Sequence, residues 1–506
     1  MTYTIFSPIH DIIAIIYYKI KSPNRCSMLF NSFDFLVFFC IVYPLFFLAR
    51  GTLRHLVLFI ASCIFYAWFI PKYLCILFLL IALDYGAALV IEKSKAQHRK
   101  KLVLLIAVIN TCAVLFIFKY HNFFIENFNS LGIFSFSFWN FALPIGLSFH
   151  TFQSLSYIID VYRNKIQAEK NILIYANYVM MFPQLVAGPI ERGAHLLPQL
   201  AMPFNRKLTE SDFVIGMTGF FYGLFKKIVV ADSIGLYVDA VYNNYTHHTG
   251  ATLLLATLLF SIQIYADFSG YSDMAIGIAR MLGFRFNQNF ETPYFSTSIA
   301  EFWRRWHISL SSWLRDYLYY PLALGWGKVS KYKLYASTII TFTIIGLWHG
   351  ANWTFIIFGM IHGWYLVLEM VTKNLRAYIT EKLYLTKVPY VHKTLQALIV
   401  FVLVSLSFIF FRSPTLTQCI TILHKIFDSF SFKDVQLLDT TTFATIVFST
   451  SILYLCEYFF LRNHSFESMY ETQGGRILSY TFIICSILLT LSFGQIGSAT
   501  FIYFQF

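Results

Sequence analysis

Charged residues are scarce in this sequence. Only 12% of its 506 residues are Asp, Glu, Lys or Arg, whereas 58% are hydrophobic, and the mean hydropathy is +0.62. Long stretches such as 102–118 carry no charge at all. A membrane span needs roughly 20 mostly apolar residues. The composition therefore excludes a soluble domain with a large core, and it predicts an all-α polytopic membrane protein with about ten to twelve candidate spans.

Acidic residues are fewer than basic ones, 25 against 38, which leaves a net charge of +13. The basic residues collect in short loops, above all in 92–101, as the positive-inside rule predicts for cytoplasmic loops. The excess charge therefore indicates membrane orientation, and we expect no nucleic-acid partner. The 8 cysteines form no CxxC pair and lie mostly in apolar runs. We expect them to be free buried thiols, and we expect no metal site.

We expect a single membrane domain, residues 28–506, with no soluble domain attached. Residues 1–27 are too short and too charged to cross a membrane, so they are either a peripheral extension or a misassigned start. Proline and glycine interrupt apolar sequence near Pro144 and in 183–189. Irregular backbone at membrane depth must be buried in protein. We therefore expect broken or re-entrant helices, and we place the catalytic core at about 140–370.

Two carboxylates, Asp267 and Asp273, lie in a stretch that otherwise resembles a span. Such groups are expensive in hydrocarbon, so they are either functional or paired with a neighbouring charge.

The stretch FWRRWHISLSSWLRDYLYYPL, residues 302–322, mixes tryptophan with arginine. Its spacing predicts one amphipathic helix at the cytoplasmic interface, ended by Pro321. Arg304, Arg305 and Arg315 would then bind the phosphates of a substrate, because guanidinium groups present a planar fork of donors. The alternative is an interfacial anchor whose arginines pair with lipid phosphates.

A second polar site is GLWHGANWTFIIFG, in which His349 lies between glycines at membrane depth. A neutral histidine is the usual general base for a hydroxyl group. A lone buried histidine is more often structural, but His307 is a second unusual histidine in this region. Two such residues favour a site, whereas we interpret His362 as structural.

These two stretches, with LPIGLSFHTFQSLSYIIDVYR and YADFSGYSDMAIGIARMLGF, resemble the double signature of the membrane-bound O-acyltransferase family. The similarity is strongest to its bacterial branch, which acylates cell-envelope polymers, and it covers nearly all of 28–506. It implies a ring of about ten to twelve transmembrane helices around a central funnel, with re-entrant helices. One departure is His150, where an aromatic residue is expected.

The resemblance implies that His349 is catalytic and His307 accessory, and that His307, Asn352 or Trp348 stabilises the oxyanion. The donor would be acetyl-CoA or an acylated carrier protein, used as a substrate and not as a bound cofactor. The acceptor would be an extracytoplasmic polysaccharide, alginate-like or peptidoglycan, reached through a periplasmic SGNH-type transferase. The protein would span the bacterial inner membrane many times.

Two other classes of function stay open from the sequence. A transporter or flippase of a polysaccharide synthesis complex would also have broken helices and intramembrane Asp267 and Asp273. A structural scaffold for a polysaccharide synthase would not need His349.

Overall fold

The computed structural model describes residues 28–132, 135–139, 141, 144, 146–186, 188–202, 209–325, 327–428, 430–431, 435, 439–461, 465–495 and 501–502. Every regular element in these ranges is helical. The predicted N-terminal extension, 1–27, lies outside the described residues, so its status stays a prediction.

The described residues form 23 α-helices in chain order. The first half contains α1 (Phe33–Leu48), α2 (Thr52–Ala67), α3 (Leu74–Lys93), α4 (Gln97–Leu115), α5 (His121–Ser130), α6 (Leu147–Tyr162), α7 (Ile172–Met180), α8 (Phe182–Leu185), α9 (Gly193–Ala201), α10 (Glu210–Leu224), α11 (Asp232–Asn243) and α12 (Gly250–Met281). The second half contains α13 (Ile299–Arg305), α14 (Ile308–Leu314), α15 (Tyr320–Leu324), α16 (Lys331–His349), α17 (Trp353–Val371), α18 (Lys373–Lys382), α19 (Pro389–Arg412), α20 (Leu416–Asp428), α21 (Thr440–Cys456), α22 (Phe466–Tyr470) and α23 (Gln473–Phe493).

Short helical segments of other types join or extend these helices. The 3₁₀ segments are Pro71–Tyr73, Tyr245–His247, Pro293–Phe295 and Leu385–Lys387, and the π segments are Phe116–Tyr120, Phe225–Ala231, Arg315–Tyr319 and Glu457–Leu461.

Eight helical segments of the described chain are long and apolar enough to cross a membrane, which confirms the prediction of an all-α polytopic protein. They are Pro71–Lys93, Gln97–Ser130, Glu210–Asn243, Gly250–Met281, Trp353–Val371, Pro389–Arg412, Thr440–Leu461 and Gln473–Phe493. Helices α1 and α2 are apolar but shorter.

Helices α10 and α12 form the central pair of the bundle. In the spans to which they belong, 67% of the residues in the apolar 18-residue stretch are buried in protein, against 17% for Gln97–Ser130. Their backbones approach closely because glycines face each other: a Cβ atom on Gly216 would lie 2.7 Å from the carbonyl oxygen of Gly277. Small residues permit such contact between membrane helices. The outer helices instead expose leucine and phenylalanine, as lipid-facing helices do.

Consecutive lysines of the π segment Phe225–Ala231 pair with the two carboxylates predicted within a span. Lys227 Nζ lies 2.8 Å from Asp267 and 2.7 Å from Asp232, and Lys226 Nζ lies 2.7 Å from Asp273. Of the two alternatives from the sequence, the structure therefore has the paired one. Burial of both signs together avoids the cost of an isolated charge in a low-dielectric interior.

Proline and glycine break the backbone between α7 and α9, as expected. Helix α8 is one turn long, and Met181 and Phe182 are fully buried. The Phe182 N–H donates to Ser62 Oγ at 3.0 Å, so a side chain of α2 satisfies part of the irregular backbone. Such bonding lets a broken segment lie inside a membrane protein.

The predicted single helix over 302–322 is wrong, because the chain breaks in its middle. Helix α13 ends at Arg305, and His307 has a left-handed backbone, with φ of 46°, before α14 begins. The distant Asn289 causes the break: its Oδ1 accepts from the Ser309 N–H at 3.3 Å and its carbonyl from the Ile308 N–H at 2.8 Å. Pro321 does not end the segment, since it lies in the first turn of α15, where proline is tolerated.

Candidate active site

His349 is the last residue of α16, and its position depends on how α16 packs on α17. Gly346 and Gly359 face each other at the crossing, where a Cβ atom on Gly346 would lie 3.0 Å from the Gly359 nitrogen. This close approach buries the His349 ring, whose centroid lies 5.2 Å from that of Phe411. The glycine pattern around the histidine thus reflects helix packing.

His307 lies at the break between α13 and α14 and is fully buried. Its Nδ1 lies 3.1 Å from Asn289 Oδ1, while no described residue bonds its Nε2. An amide oxygen only accepts, so in the neutral ring Nδ1 carries the proton and Nε2 is an acceptor. A neutral His307 can therefore accept a proton or a hydroxyl hydrogen at Nε2, but it cannot donate to an oxyanion there.

Trp348 connects the two histidines. Its ring centroid lies 4.9 Å from that of His349 and 6.2 Å from that of His307. Its buried Nε1 has no hydrogen-bond partner within the described part of the chain. A buried N–H without a partner is costly. The structure thus brings His307, Trp348 and His349 together around an N–H donor that could bind a substrate oxygen.

Asn352 is held by bonds within the protein. Its side-chain oxygen accepts from the Thr354 N–H at 3.0 Å and so caps α17, and its Nδ2 donates to the Pro414 carbonyl at 3.0 Å. Its Nδ2 keeps a second N–H, whereas the Trp348 N–H is unpaired within the described residues and lies beside both histidine rings. Trp348 is the better placed of the predicted donors.

Of the other two unusual histidines, His362 is fully bonded and His150 is not. His362 Nδ1 accepts from Trp303 Nε1 at 3.2 Å, and its Nε2 lies 2.9 Å from Ser407 Oγ. This fits the structural interpretation. His150 is buried on α6, with its Nε2 3.4 Å from Ser154 Oγ.

A cavity of about 840 Å³, here called the arginine cavity, borders the middle of α16 and the end of α17. Its basic lining residues are Arg304, Arg315, Lys373 and Arg376. The first two were predicted. Nothing in the sequence distinguishes Lys373 and Arg376, which follow a span as many interfacial basic residues do.

Arg305 does not line this cavity. Its guanidinium pairs with Glu301 at 2.9 Å and lies 3.4 Å from Thr292 Oγ1. Partial burial favours the neutral acid, but hydrogen bonds from Thr297 and the charges of Arg305 and Arg304 hold the pKa of Glu301 below its usual value. The pair is therefore ionised at neutral pH, and Arg305 is engaged.

Asp316 takes up part of the positive charge beside the arginine cavity. Its carboxylate lies 3.0 Å from Arg315 and 2.7 Å from Arg192. Burial alone would raise its pKa, but these two guanidinium groups hold the pKa of Asp316 below its ordinary value. Arg304 forms no ion pair with a carboxylate of the described residues, although its charge acts on Glu301, so it presents the less compensated charge.

A second cavity of about 770 Å³, here called the Gly350 cavity, begins directly after His349. Its polar lining residues include Lys119, Asn352, Arg412 and Gln418. Lys119 donates to the carbonyls of Trp348 and, at 3.1 Å, of His349. The last carbonyls of a helix lack intrahelical donors and carry partial negative charge, so a lysine stabilises this end of α16. A lone lysine in the apolar run FIFKY was the only sequence signal for it.

The two cavities lie toward opposite ends of the α16–α17 pair. The arginine cavity is lined by α16 residues within 338–345, which precede His349. It is also lined by Glu369, near the end of α17. The Gly350 cavity touches the turn after the histidine and Phe355 at the start of α17. The cluster of His307, Trp348 and His349 therefore lies between them.

Buried histidines beside two cavities in a helical membrane protein are the features expected of a membrane enzyme. Comparison with known proteins gives the family: the profile of the membrane-bound O-acyltransferase family matches residues 60–413. The chain belongs to this family and is an acyltransferase.

Relatives of known name agree with this placement. The chain is 40% identical over 397 residues to the probable alginate O-acetylase AlgI of Pseudomonas aeruginosa, covering 77% of this chain and 73% of that protein. It is 32% identical over 492 residues to the peptidoglycan O-acetyltransferase of Helicobacter pylori, covering 88% and 90%. It is 26% identical over 223 residues to the teichoic acid D-alanyltransferase of Bacillus subtilis, covering 43% and 56%.

Proposed function

We propose that this enzyme takes an acetyl group from a thioester on the cytoplasmic side of the inner membrane and passes it to an acceptor on the other side. The product would be an O-acetylated extracytoplasmic polysaccharide. The single observation that carries this proposal is the position of the histidine cluster between the arginine cavity and the Gly350 cavity. The names of the relatives support acetylation of alginate or peptidoglycan.

The arginine cavity would hold the donor. Acetyl-CoA and an acylated carrier protein both present phosphopantetheine, whose phosphates suit Arg304 and Arg315. Lys373 and Arg376 extend the same basic wall. The thioester end would then point toward Ile345 and the histidine cluster.

The reaction itself would be a direct acyl transfer. The acceptor oxygen forms a bond to the thioester carbon while His349 takes the hydroxyl proton. The Trp348 N–H donates to the oxygen that becomes negative, and His307 packs beside the Trp348 ring as an accessory residue. The C–S bond then breaks, and the thiolate recovers the proton from His349.

The acceptor would enter through the Gly350 cavity. The first acceptor is either the sugar hydroxyl or a hydroxyl of a periplasmic SGNH-type transferase that hands the acetyl group on. The transporter alternative loses its main support, because Asp267 and Asp273 are ion-paired to Lys227 and Lys226. A scaffold would leave the buried Trp348 N–H without a role.

Thioester turnover in sealed vesicles tests the proposal. The protein is reconstituted with its donor face outward, acetyl-CoA or acetylated carrier protein is added outside, and free thiol is measured. We expect thiol release that increases when acidic oligosaccharide or peptidoglycan fragments, with or without the partner transferase, are enclosed inside. No thiol release from either donor under any of these conditions would contradict the proposal.

A further inference from the structure

A third cavity, of about 250 Å³, lies between α10, α12 and the π segment Glu457–Leu461, and plays no part in the acyl transfer proposed above. We call it the Glu457 cavity. Its lining includes the half-exposed Arg285 and Glu467, here called the mouth, and the buried Lys226 and Glu457, here called the floor.

The floor contains a carboxylate with one oxygen that no described residue hydrogen-bonds. Glu457 is 1% exposed, and its Oε1 accepts a hydrogen bond from the Tyr265 hydroxyl. Its buried Oε2 has no partner in the described part of the chain. Lys226 does not supply one, because its ammonium bonds Asp273 at 2.7 Å and Ser269 at 3.2 Å. A buried carboxylate oxygen without a donor is costly, so the site is built for a donor from outside.

The charge of the lining selects a cation. Four carboxylates face three basic groups: Asp273, Glu291, Glu457 and Glu467 against Lys226, Arg280 and Arg285. Arg280 is further compensated by Asp212 at 2.9 Å, outside the cavity. With all of these groups ionised, the lining therefore carries one more negative than positive charge.

The apolar lining selects an organic cation. Five aromatic rings contribute to the remaining wall, namely Tyr265, Phe284, Phe286, Phe290 and Phe466. Aromatic faces attract ammonium groups, and desolvation strengthens the attraction.

We propose that the Glu457 cavity binds the headgroup of an ethanolamine phospholipid. Its primary ammonium donates to Glu457 Oε2 among the aromatic rings, and its phosphate stays at the mouth beside Arg285. The guanidinium of Arg285 contacts Glu467 at 3.2 Å through one nitrogen, so further N–H donors remain for a phosphate. The mouth follows the C-terminus of α12 in a basic stretch, where lipid headgroups are expected.

Stepwise methylation of the lipid amine tests the proposal on the unaltered protein. Binding of phosphatidylethanolamine and of its mono-, di- and trimethylated forms is measured by native mass spectrometry of the detergent-solubilised enzyme. The trimethylated lipid has no N–H to donate, so it loses one charge-assisted hydrogen bond. We therefore expect it to bind about tenfold more weakly than the primary amine. Equal binding of all four lipids would overturn the proposal.

The variant Glu457→Gln then removes the charge while leaving an oxygen for the Tyr265 hydroxyl. We expect it to lose the preference for the primary amine, whereas Glu381→Gln, on exposed α18, keeps it. If Glu457→Gln still prefers the primary amine, that preference arises at another site. Free O-phosphoethanolamine is the last ligand to be measured. If it binds as tightly as the lipid, the ligand is a soluble amine and the lipid assignment is wrong.

Discussion

At the scale of single residues, His349 is the side chain on which the proposed chemistry depends most. Replacing it with alanine should lower the rate of polymer O-acetylation by about 10²–10⁴-fold, the usual loss when a general base is removed. The measurement is acetyl ester content per membrane-inserted enzyme. His98→Ala, an exposed histidine at the start of α4, serves as the matched control and should keep normal activity. Near-normal acetylation by His349→Ala would refute the mechanism.

Arg304 and Arg305 are neighbours in the chain with different surroundings, which makes them a natural pair for comparison. Arg304 lines the arginine cavity, whereas Arg305 is bonded to Glu301. Arg304→Ala should raise the donor KM with a smaller change in kcat, as loss of a binding contact does. Arg305→Ala should change the donor KM less.

Donor titrations of the two variants check this difference. If Arg304→Ala and Arg315→Ala both keep a wild-type donor KM, the segment is better interpreted as a lipid anchor. An equal rise in the donor KM of Arg304→Ala and of Arg305→Ala would place the donor outside the arginine cavity.

The sequence could select the residues of the histidine cluster because each is chemically unusual in its local context. His349 is a polar group among apolar ones, and His307 lies in a charged stretch. It could not select Lys119 or Glu457, because their importance comes from partners more than a hundred residues away in the chain. Lys119 matters through the carbonyls at the end of α16, and Glu457 through Tyr265.

At the scale of elements, the break between α13 and α14 positions His307, and Asn289 holds the break. Asn289 is fully buried and bonds His307, Ser309 and, through its Nδ2 at 3.2 Å, Ser272. Asn289→Ala should lower both thermal stability and activity. Each buried group left without a partner costs about 1–3 kcal/mol.

Thermal unfolding in detergent and thioester turnover measure the two effects. Asn244→Ala, which alters an exposed asparagine at the end of α11, is the control and should change neither strongly. Unchanged activity in Asn289→Ala would mean that the position of His307 does not matter for turnover.

Spans were predictable from hydropathy, whereas the course of 302–322 was not. Apolar runs such as 102–118 lie in a helix because the backbone must satisfy its own hydrogen bonds in lipid. The stretch 302–322 has helical spacing too, but bonds from Asn289 replace the helical ones at His307. Local periodicity contains no information about such a distant competitor.

At the scale of the whole molecule, the two cavities have a mechanistic meaning only if they open on opposite faces of the membrane. The loop 92–101 and the basic residues around α13 to α16 favour the cytoplasm for the arginine cavity. The span Pro389–Arg412 starts after Lys373 and Arg376 of the arginine cavity and ends at Arg412 of the Gly350 cavity, so we expect the Gly350 cavity and the start of α21 on the outer face. The histidine cluster would be reached from both sides without a mobile carrier.

Cysteine labelling in a background without the native cysteines measures this topology. Ser330→Cys, before α16, and Gln97→Cys, at the start of α4, should react with a membrane-impermeant thiol reagent only after the cytoplasmic face is opened. Thr440→Cys, at the start of α21, should react in intact cells and controls for reagent access. Ser330 caps α16, so its replacement costs about 1 kcal/mol, too little to unfold a bundle of this size. Labelling of Ser330→Cys in intact cells would place the arginine cavity outside, where no acyl thioester is made, and the proposed donor site would have to move to the other end of the α16–α17 pair.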